Sequence, residues 1–191
     1  MPSALILIAS GTEEMEFTIT YDTLVRAGVE CTSALIKAAT DEPDVYAECS
    51  RGVRIMSDIH EAQLAITSAD QYDAIIIPGG AKGAETLSQS AFVQQLVRDF
   101  YNKKKVVGMI CAGSLAALTS ELPRQPLTSH PSVKEKLASR FDYREDSVVV
   151  SDNLITSRGP GTAFPFAFAL VEKLCGASKR EEVVAPMVFP S

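Results

Sequence analysis

The 191-residue chain lacks most of the features that would take it outside the ordinary globular classes. No apolar run approaches the ~20 residues that a membrane-spanning helix needs. No basic stretch precedes the first apolar segment, Ala4 to Ala9, and Glu13 and Glu14 follow it closely. That is not the layout of a secretory leader. The expectation is an untargeted intracellular protein with no membrane partner.

Positive charge is also short. Eighteen Lys and Arg stand against 24 Asp and Glu, a formal charge of −6. This is the wrong sign for attracting a phosphate backbone, so no nucleic-acid partner is expected. The one basic run, Lys103 to Lys105, falls where a helical pattern gives way to a strand, and cations suit the end of a helix.

Metal and nucleotide signatures are missing too. The four cysteines, Cys31, Cys49, Cys111 and Cys175, include no C-x-x-C pair and no histidine at zinc-ligand spacing, so no metal is expected. Without a leader they are read as reduced thiols. No G-x-G-x-x-G opens the first helix, and no G-K-S/T follows Gly79-Gly80, so neither a dinucleotide nor a P-loop cofactor is supported. No linker, repeat or low-complexity tract divides the chain, which is read as one domain over residues 1–191.

What the sequence does hold is a rhythm of short apolar runs alternating with helical patterns, the mark of an α/β protein. Ala4 to Ala9, Ala74 to Ile77 and Val106 to Ile110 are continuously apolar, as parallel strands covered on both faces must be. Met15 to Ala27 reads as a helix closed by Gly28, and Val29 to Ile36 as the next strand. Further helices are expected over Phe92 to Tyr101, Ala112 to Leu118 and Gly161 to Leu174, with strands near Ser147 to Val150 and Leu154 to Thr156. In such sheets ligands bind beyond the carboxyl ends of the strands, which puts the site after Ala9, Ile77 and Ile110.

Those strand ends carry the chemistry. Cys111 closes the third central strand, and Ala112 and Gly113 follow where a helix is expected to begin, the layout of a nucleophile elbow. Either it is a small buried hydrophobe, or its sulfur meets unpaired backbone N–H groups that lower its pKa. A dipole contribution of ~0.3–1 kcal/mol shifts a thiol by less than one unit, so a reactive Cys111 needs a further donor. Glu13, Glu14 and Glu16 crowd the start of the first helix; for Glu13 and Glu14 the ordinary reading is dipole compensation. Glu16 lies one turn further in and reaches toward Cys111, where a protonated carboxyl would donate to the thiolate.

Gly79 and Gly80 let backbone N–H groups approach a ligand closely, although a plain tight turn explains them as well. His60 reads as a surface residue. His130, in a Pro-flanked loop, is a candidate proton carrier if that loop folds back over the sulfur.

These residues fall in a series of motifs that resembles the DJ-one branch of the ThiJ/PfpI superfamily over essentially the whole chain. The motifs are Gly11-Thr12-Glu13-Glu14-Met15-Glu16, Glu48-Cys49-Ser50-Arg51, Ile77-Pro78-Gly79-Gly80, Ile110-Cys111-Ala112-Gly113, Ser129-His130-Pro131, Ser157-Arg158-Gly159-Pro160-Gly161-Thr162 and Ala185-Pro186. The resemblance implies a flavodoxin-like three-layer sandwich, with a mostly parallel central sheet and helices on both faces, that forms a homodimer. It implies Cys111 as reactive cysteine, Glu16 as its acid and His130 as its histidine, with the amides of Gly79, Gly80 and Ala112 lining an anion site. Arg26 and Arg51 match basic residues near the dimer contact and the pocket mouth. Peptidase-like members carry histidine after the cysteine; Ala112 in that place disfavours proteolysis. Ser114 stands where close relatives often have proline, and the Pro123 to Pro126 loop is about a residue shorter.

The activity implied is a cofactor-free glyoxalase of the D-lactate dehydratase type, turning methylglyoxal or glyoxal into lactate or glycolate through a Cys111 hemithioacetal. A protein deglycase shares the first step. The rival reading is a redox-sensing stress chaperone that acts through oxidation of Cys111. The location implied is the cytoplasm, with the nucleus as a second compartment.

Overall fold

A computed structural model describes residues 1–37, 46–64 and 68–189. The strands are β1 (Ser3–Ile8), β2 (Glu30–Leu35), β3 (Tyr46–Glu48), β4 (Arg54–Met56), β5 (Ile59–His60), β6 (Ala74–Ile77), β7 (Val106–Ile110), β8 (Pro126–Leu127), β9 (Asp142–Tyr143), β10 (Val148–Ser151) and β11 (Leu154–Ser157). The helices are α1 (Glu14–Arg26), α2 (Ser68–Gln71), α3 (Ala81–Gln89), α4 (Ala91–Asn102), α5 (Leu115–Thr119), α6 (Lys134–Ala138), α7 (Ala163–Cys175) and α8 (Ala177–Val184).

Seven strands form the main sheet in the order β10-β11-β7-β6-β1-β2-β5. Every pairing in it is parallel except β10 with β11. The continuously apolar runs are its centre: β6 and β7 are buried along their whole length, and β1 from Ala4 onward. Helices cover both faces, so no alternation of polar residues survives in these strands. This is the α/β sandwich that the rhythm of the sequence predicts. Among the described residues, no helix is long and apolar enough to cross a membrane.

The helices dock by stripes at helical spacing. On α4, Val93, Leu96, Val97 and Phe100 are buried, and the Ser90 hydroxyl caps the helix by accepting the Val93 N–H at 3.3 Å. On α1 the buried face includes Glu16, Thr20, Thr23 and Leu24, an unusually polar stripe. Gly108 in β7 lets α7 press against the sheet. A Cβ there would lie 3.0 Å from Leu170 and 3.1 Å from Phe166.

The sequence reading differs from the structure in several places. The helix expected over Ala112 to Leu118 is a 3-10 turn, Cys111–Ser114, followed by the short α5. Gly113 sits so tightly on the preceding crossover that a Cβ would fall 2.5 Å from the Ile77 carbonyl oxygen, and the chain cannot enter a regular helix until it clears that contact. The sequence pattern carries no clear signal for helices α3 and α8 or for the β3–β4 hairpin. The α3 sequence, Ala-Lys-Gly-Ala-Glu-Thr-Leu-Ser-Gln, has few apolar residues to mark a stripe.

The order of the sheet decides where the site lies. From β1 the chain steps to β2 on one side, and then crosses to β6 on the other, leaving a crevice at the carboxyl ends of β1 and β6, with β7 next to them.

Candidate functional site

Three chain segments meet in that crevice: the start of α1 after β1, the Pro78-Gly79-Gly80 turn after β6, and Cys111 after β7. Cys111 has φ of +62°, a left-handed conformation that is strained for a side chain of its size. The strain is that of an elbow, which turns the sulfur back over the strand ends. Cys111 is 8% exposed, so the sulfur is nearly enclosed.

Glu16 is wholly buried. Its Oε2 accepts the Gly79 N–H at 2.7 Å, and its carboxyl hydrogen-bonds with the Cys111 thiol. Gly79 has to be glycine for this to happen. A Cβ on it would stand 2.5 Å from Cys111 Cβ, 2.7 Å from Glu16 Oε2 and 2.9 Å from Cys111 Sγ. Acid, sulfur and turn therefore converge on a space too small for one methyl group. The other carboxyl oxygen, Oε1, is buried without a hydrogen-bonding nitrogen or oxygen.

The electrostatics follow from this crowding. Burial raises the Glu16 carboxyl from 4.5 to about 7; the Gly79 and Cys111 hydrogen bonds act against burial, and the Glu13 charge adds to it. Burial also pushes the Cys111 thiol up to about 12, and an ionised Glu16 pushes the same way, while the N–H groups of Ala112 and Gly80 donate to the sulfur and pull it down. Burial thus opposes the lowered thiol pKa that position alone suggested, and with α5 so short the helix dipole contributes little. The two groups titrate as a pair, so what matters is which of them keeps the last proton. Two main-chain donors face the sulfur, and the carboxyl has one. A proton left on Glu16 removes the like charge and turns its hydrogen bond into a donation to sulfur. The acid, at about 7, gives up its proton before the thiol, at about 12, unless the two main-chain donors on the sulfur shift the shared proton to Glu16.

The N–H groups of Gly80 and Ala112, both among the anion-site donors that the resemblance implies, face the Cys111 sulfur. Gly79, expected in the same role, instead gives its N–H to Glu16. His130 is close through its backbone: its N–H donates to the Cys111 carbonyl at 3.3 Å. The exposed imidazole caps the next turn, its Nδ1 accepting the Ser132 N–H at 3.2 Å and lying 2.8 Å from the Ser132 hydroxyl. An accepting Nδ1 means that the neutral ring carries its proton on Nε2. Ser114 supports this segment through a 3.0 Å bond from its hydroxyl to the Thr128 carbonyl.

Glu13 and Glu14 do more than balance a dipole. Glu13 is the N-cap of α1, its Oε2 accepting the Glu16 N–H at 2.8 Å. Glutamate is outside the favoured cap residues, which hid this role in the sequence. Glu14 accepts the Ser50 hydroxyl and the Arg51 N–H, each at 2.8 Å, bonds that hold its carboxyl below the usual range although burial opposes them. It thereby ties the turn after β3 to the start of α1. The guanidinium of Arg51 reaches the Ser50 carbonyl at 3.1 Å, and Arg26 pairs with Asp22 at 2.6 Å. His60 is half-buried at the edge of the sheet, away from the crevice strands. All four cysteines are free, and among the described residues no cluster of His, Cys, Asp and Glu could hold a metal.

The profile of the DJ-1/PfpI family matches residues 2–173. The chain belongs to the DJ-1/PfpI family. Within it, the glutathione-independent glyoxalase DJ-1 of Schizosaccharomyces pombe is 39% identical over 194 residues, covering all of both chains. The glutathione-independent glyoxalase DJR-1.2 of Caenorhabditis elegans is 36% identical, over 97% of this chain and 95% of its own. The solved structure of the Schizosaccharomyces pombe protein superposes with a TM-score of 0.93 at 38% identity, covering 98% of this chain and 100% of the other. The flavodoxin-like sandwich that the resemblance implied is thus the fold of this DJ-1/PfpI chain.

Proposed function

We propose that this protein is a glutathione-independent glyoxalase that converts methylglyoxal to lactate, and glyoxal to glycolate, through Cys111. The observation that carries the reading is the enclosure of a buried carboxyl and a thiol together, with the Gly80 and Ala112 N–H groups on the sulfur. Its full-length similarity to relatives named for that activity supports it.

The thiolate attacks the aldehyde carbon, and the resulting alkoxide is stabilised by main-chain N–H groups around the turn. Glu16 protonates this oxygen and is left as a carboxylate. It then takes the hydrogen from the former aldehyde carbon as a proton, giving an enediolate, and returns it to the neighbouring carbon while the hydroxyl proton passes from the first oxygen to the second. The product of this shift is a lactyl thioester on Cys111; water hydrolyses it to lactate and thiolate and returns a proton to Glu16, so the sum is methylglyoxal plus water giving lactate and one proton. A carboxyl that titrates near 7 can serve as acid and base in one cycle at neutral pH. His130, with its proton on Nε2, is assigned to proton exchange with solvent. The lactate released is taken to be the D-isomer, and a glycated amine that presents the same carbonyl would enter at the first step.

The test is lactate formation from methylglyoxal with the purified protein in glutathione-free buffer. Turnover that requires added glutathione would sink the reading.

One feature favours a second role for the same sulfur. The unpartnered Glu16 Oε1, if protonated, suits a sulfinate oxygen on Cys111. Mild peroxide is then expected to add two oxygens at Cys111 before any other cysteine, read by mass spectrometry of peptides.

A homodimer is inferred as well. Phe17, Tyr21, Val25 and Ile55 line a groove of about 220 Å³ between α1 and β4, beside Met56, which is 74% exposed. A second copy of the chain is the occupant proposed. Sedimentation should give a dimer, and Met56→Lys should shift it toward monomer. The cytoplasm is the compartment proposed.

A further inference from the structure

The segments of the crevice are joined by a closed ring of hydrogen bonds that runs through Glu13. The Glu13 N–H donates to the Gly79 carbonyl at 3.0 Å. The Gly79 N–H donates to Glu16 Oε2 at 2.7 Å. The Glu16 N–H donates to Glu13 Oε2 at 2.8 Å, which returns the ring to its start. Gly80 completes the junction: a Cβ there would stand 2.1 Å from the Gly11 carbonyl oxygen and 2.5 Å from the Glu13 nitrogen, so the turn after β6 lies flat against the start of α1.

We propose that Glu13 is a positioning residue for Glu16, its acceptor oxygen closing the ring that holds the acid against the Cys111 sulfur. Each bond constrains a different freedom. The Gly79 N–H selects the Glu16 side-chain rotamer. The Glu13 N–H sets the distance between the turn and the helix. The Glu13 carboxylate fixes the main chain of Glu16, and with it the direction in which that side chain leaves α1. An ordinary N-cap would need none of the first two. A short cap such as Ser or Asp meets the helical need with less loss of side-chain freedom than Glu, whose carboxylate here is itself buried. The site tolerates little movement, since acid and sulfur already crowd one methyl-sized space. Misplacement of a reacting group by about 1 Å costs up to about 100-fold in rate.

The activity readout rests on the glyoxalase reading; the alkylation readout does not. Glu13→Ala should lower kcat about 10- to 100-fold with KM within about twofold, the pattern of a misplaced group and not of lost substrate binding. Alkylation of Cys111 by iodoacetamide at neutral pH should slow in the same variant. Glu13→Gln keeps an acceptor oxygen at the same reach and should restore both to within about threefold. Circular dichroism and an unfolding midpoint establish that each variant is folded at the assay temperature. A folded Glu13→Ala protein with wild-type kcat and alkylation rate would overturn the proposal, as would a Glu13→Gln protein as impaired as Glu13→Ala. If the wild type forms no lactate, the glyoxalase reading fails by itself. The alkylation comparison then decides the ring alone.

Discussion

Cys111→Ser is expected to abolish lactate formation from methylglyoxal, with a loss on the order of 10⁴-fold or more in kcat. Serine fits the elbow, because it is no larger than cysteine and accepts the same main-chain donors, so the fold should persist. The hydroxyl cannot replace the thiol, since it stays protonated where the paired acid has its own proton to keep. Among the described residues, no other cysteine has main-chain donors on its sulfur. Cys31 and Cys49, the cysteines that burial also affects most, are pushed up to about 12 and about 11 with no main-chain donor acting on their sulfurs. The measurement is lactate release at saturating substrate, with circular dichroism to confirm the fold. A Cys111→Ser protein that retains a tenth of wild-type turnover would remove the proposed nucleophile.

The second large effect concerns the proton on Glu16. Its folded value of about 7 lies above the ordinary 4.5, so the native state binds the proton more tightly than the unfolded chain does. Stability from this group is therefore fully present below pH 4.5 and is lost as pH rises through about 7. The gap corresponds to about 3 kcal/mol, since one unit is about 1.4 kcal/mol. Glu16→Gln has no proton to lose, so urea unfolding should show that much less weakening between pH 4.5 and pH 8 than in the wild type. The same variant separates donor from bystander at the sulfur. With a proton kept on Glu16, wild-type Cys111 should alkylate with a midpoint below the value of about 12 that goes with an ionised Glu16. Gln retains a neutral N–H donor and Ala retains none, so Glu16→Ala should raise the midpoint further than Glu16→Gln. Equal midpoints in the two variants would show that Glu16 does not donate to the sulfur.

Both predictions begin from residues that can be read in the primary structure. Ala4 to Ala9, Ala74 to Ile77 and Val106 to Ile110 are short, continuously apolar runs bounded by turn residues, a pattern that suits strands covered on both faces, so the centre of the sheet and the edge that carries the site follow from local sequence. Cys111 at the end of such a strand, followed by Ala112 and Gly113, is legible as an elbow for the same reason: the turn needs small neighbours, and small neighbours are a local property. Helix α3 was not legible, because a helix with few apolar residues gives no periodic signal; its place is set by packing against α5 and the turn after β7.

The identities of the acid, the sulfur and the glycine turn, and the strand ends on which they sit, were determined by the sequence itself. Their charge state was not, since it depends on distances between segments that are far apart in the chain. That Gly79 turns its N–H to Glu16 and not to the sulfur, that Glu13 closes the ring, and that burial lifts the thiol as well as the acid were decided only when β1, β6 and β7 were brought side by side. Periodicity reports which face of an element is buried. Hydrogen-bond direction and desolvation arise from what the neighbouring strand places on that face.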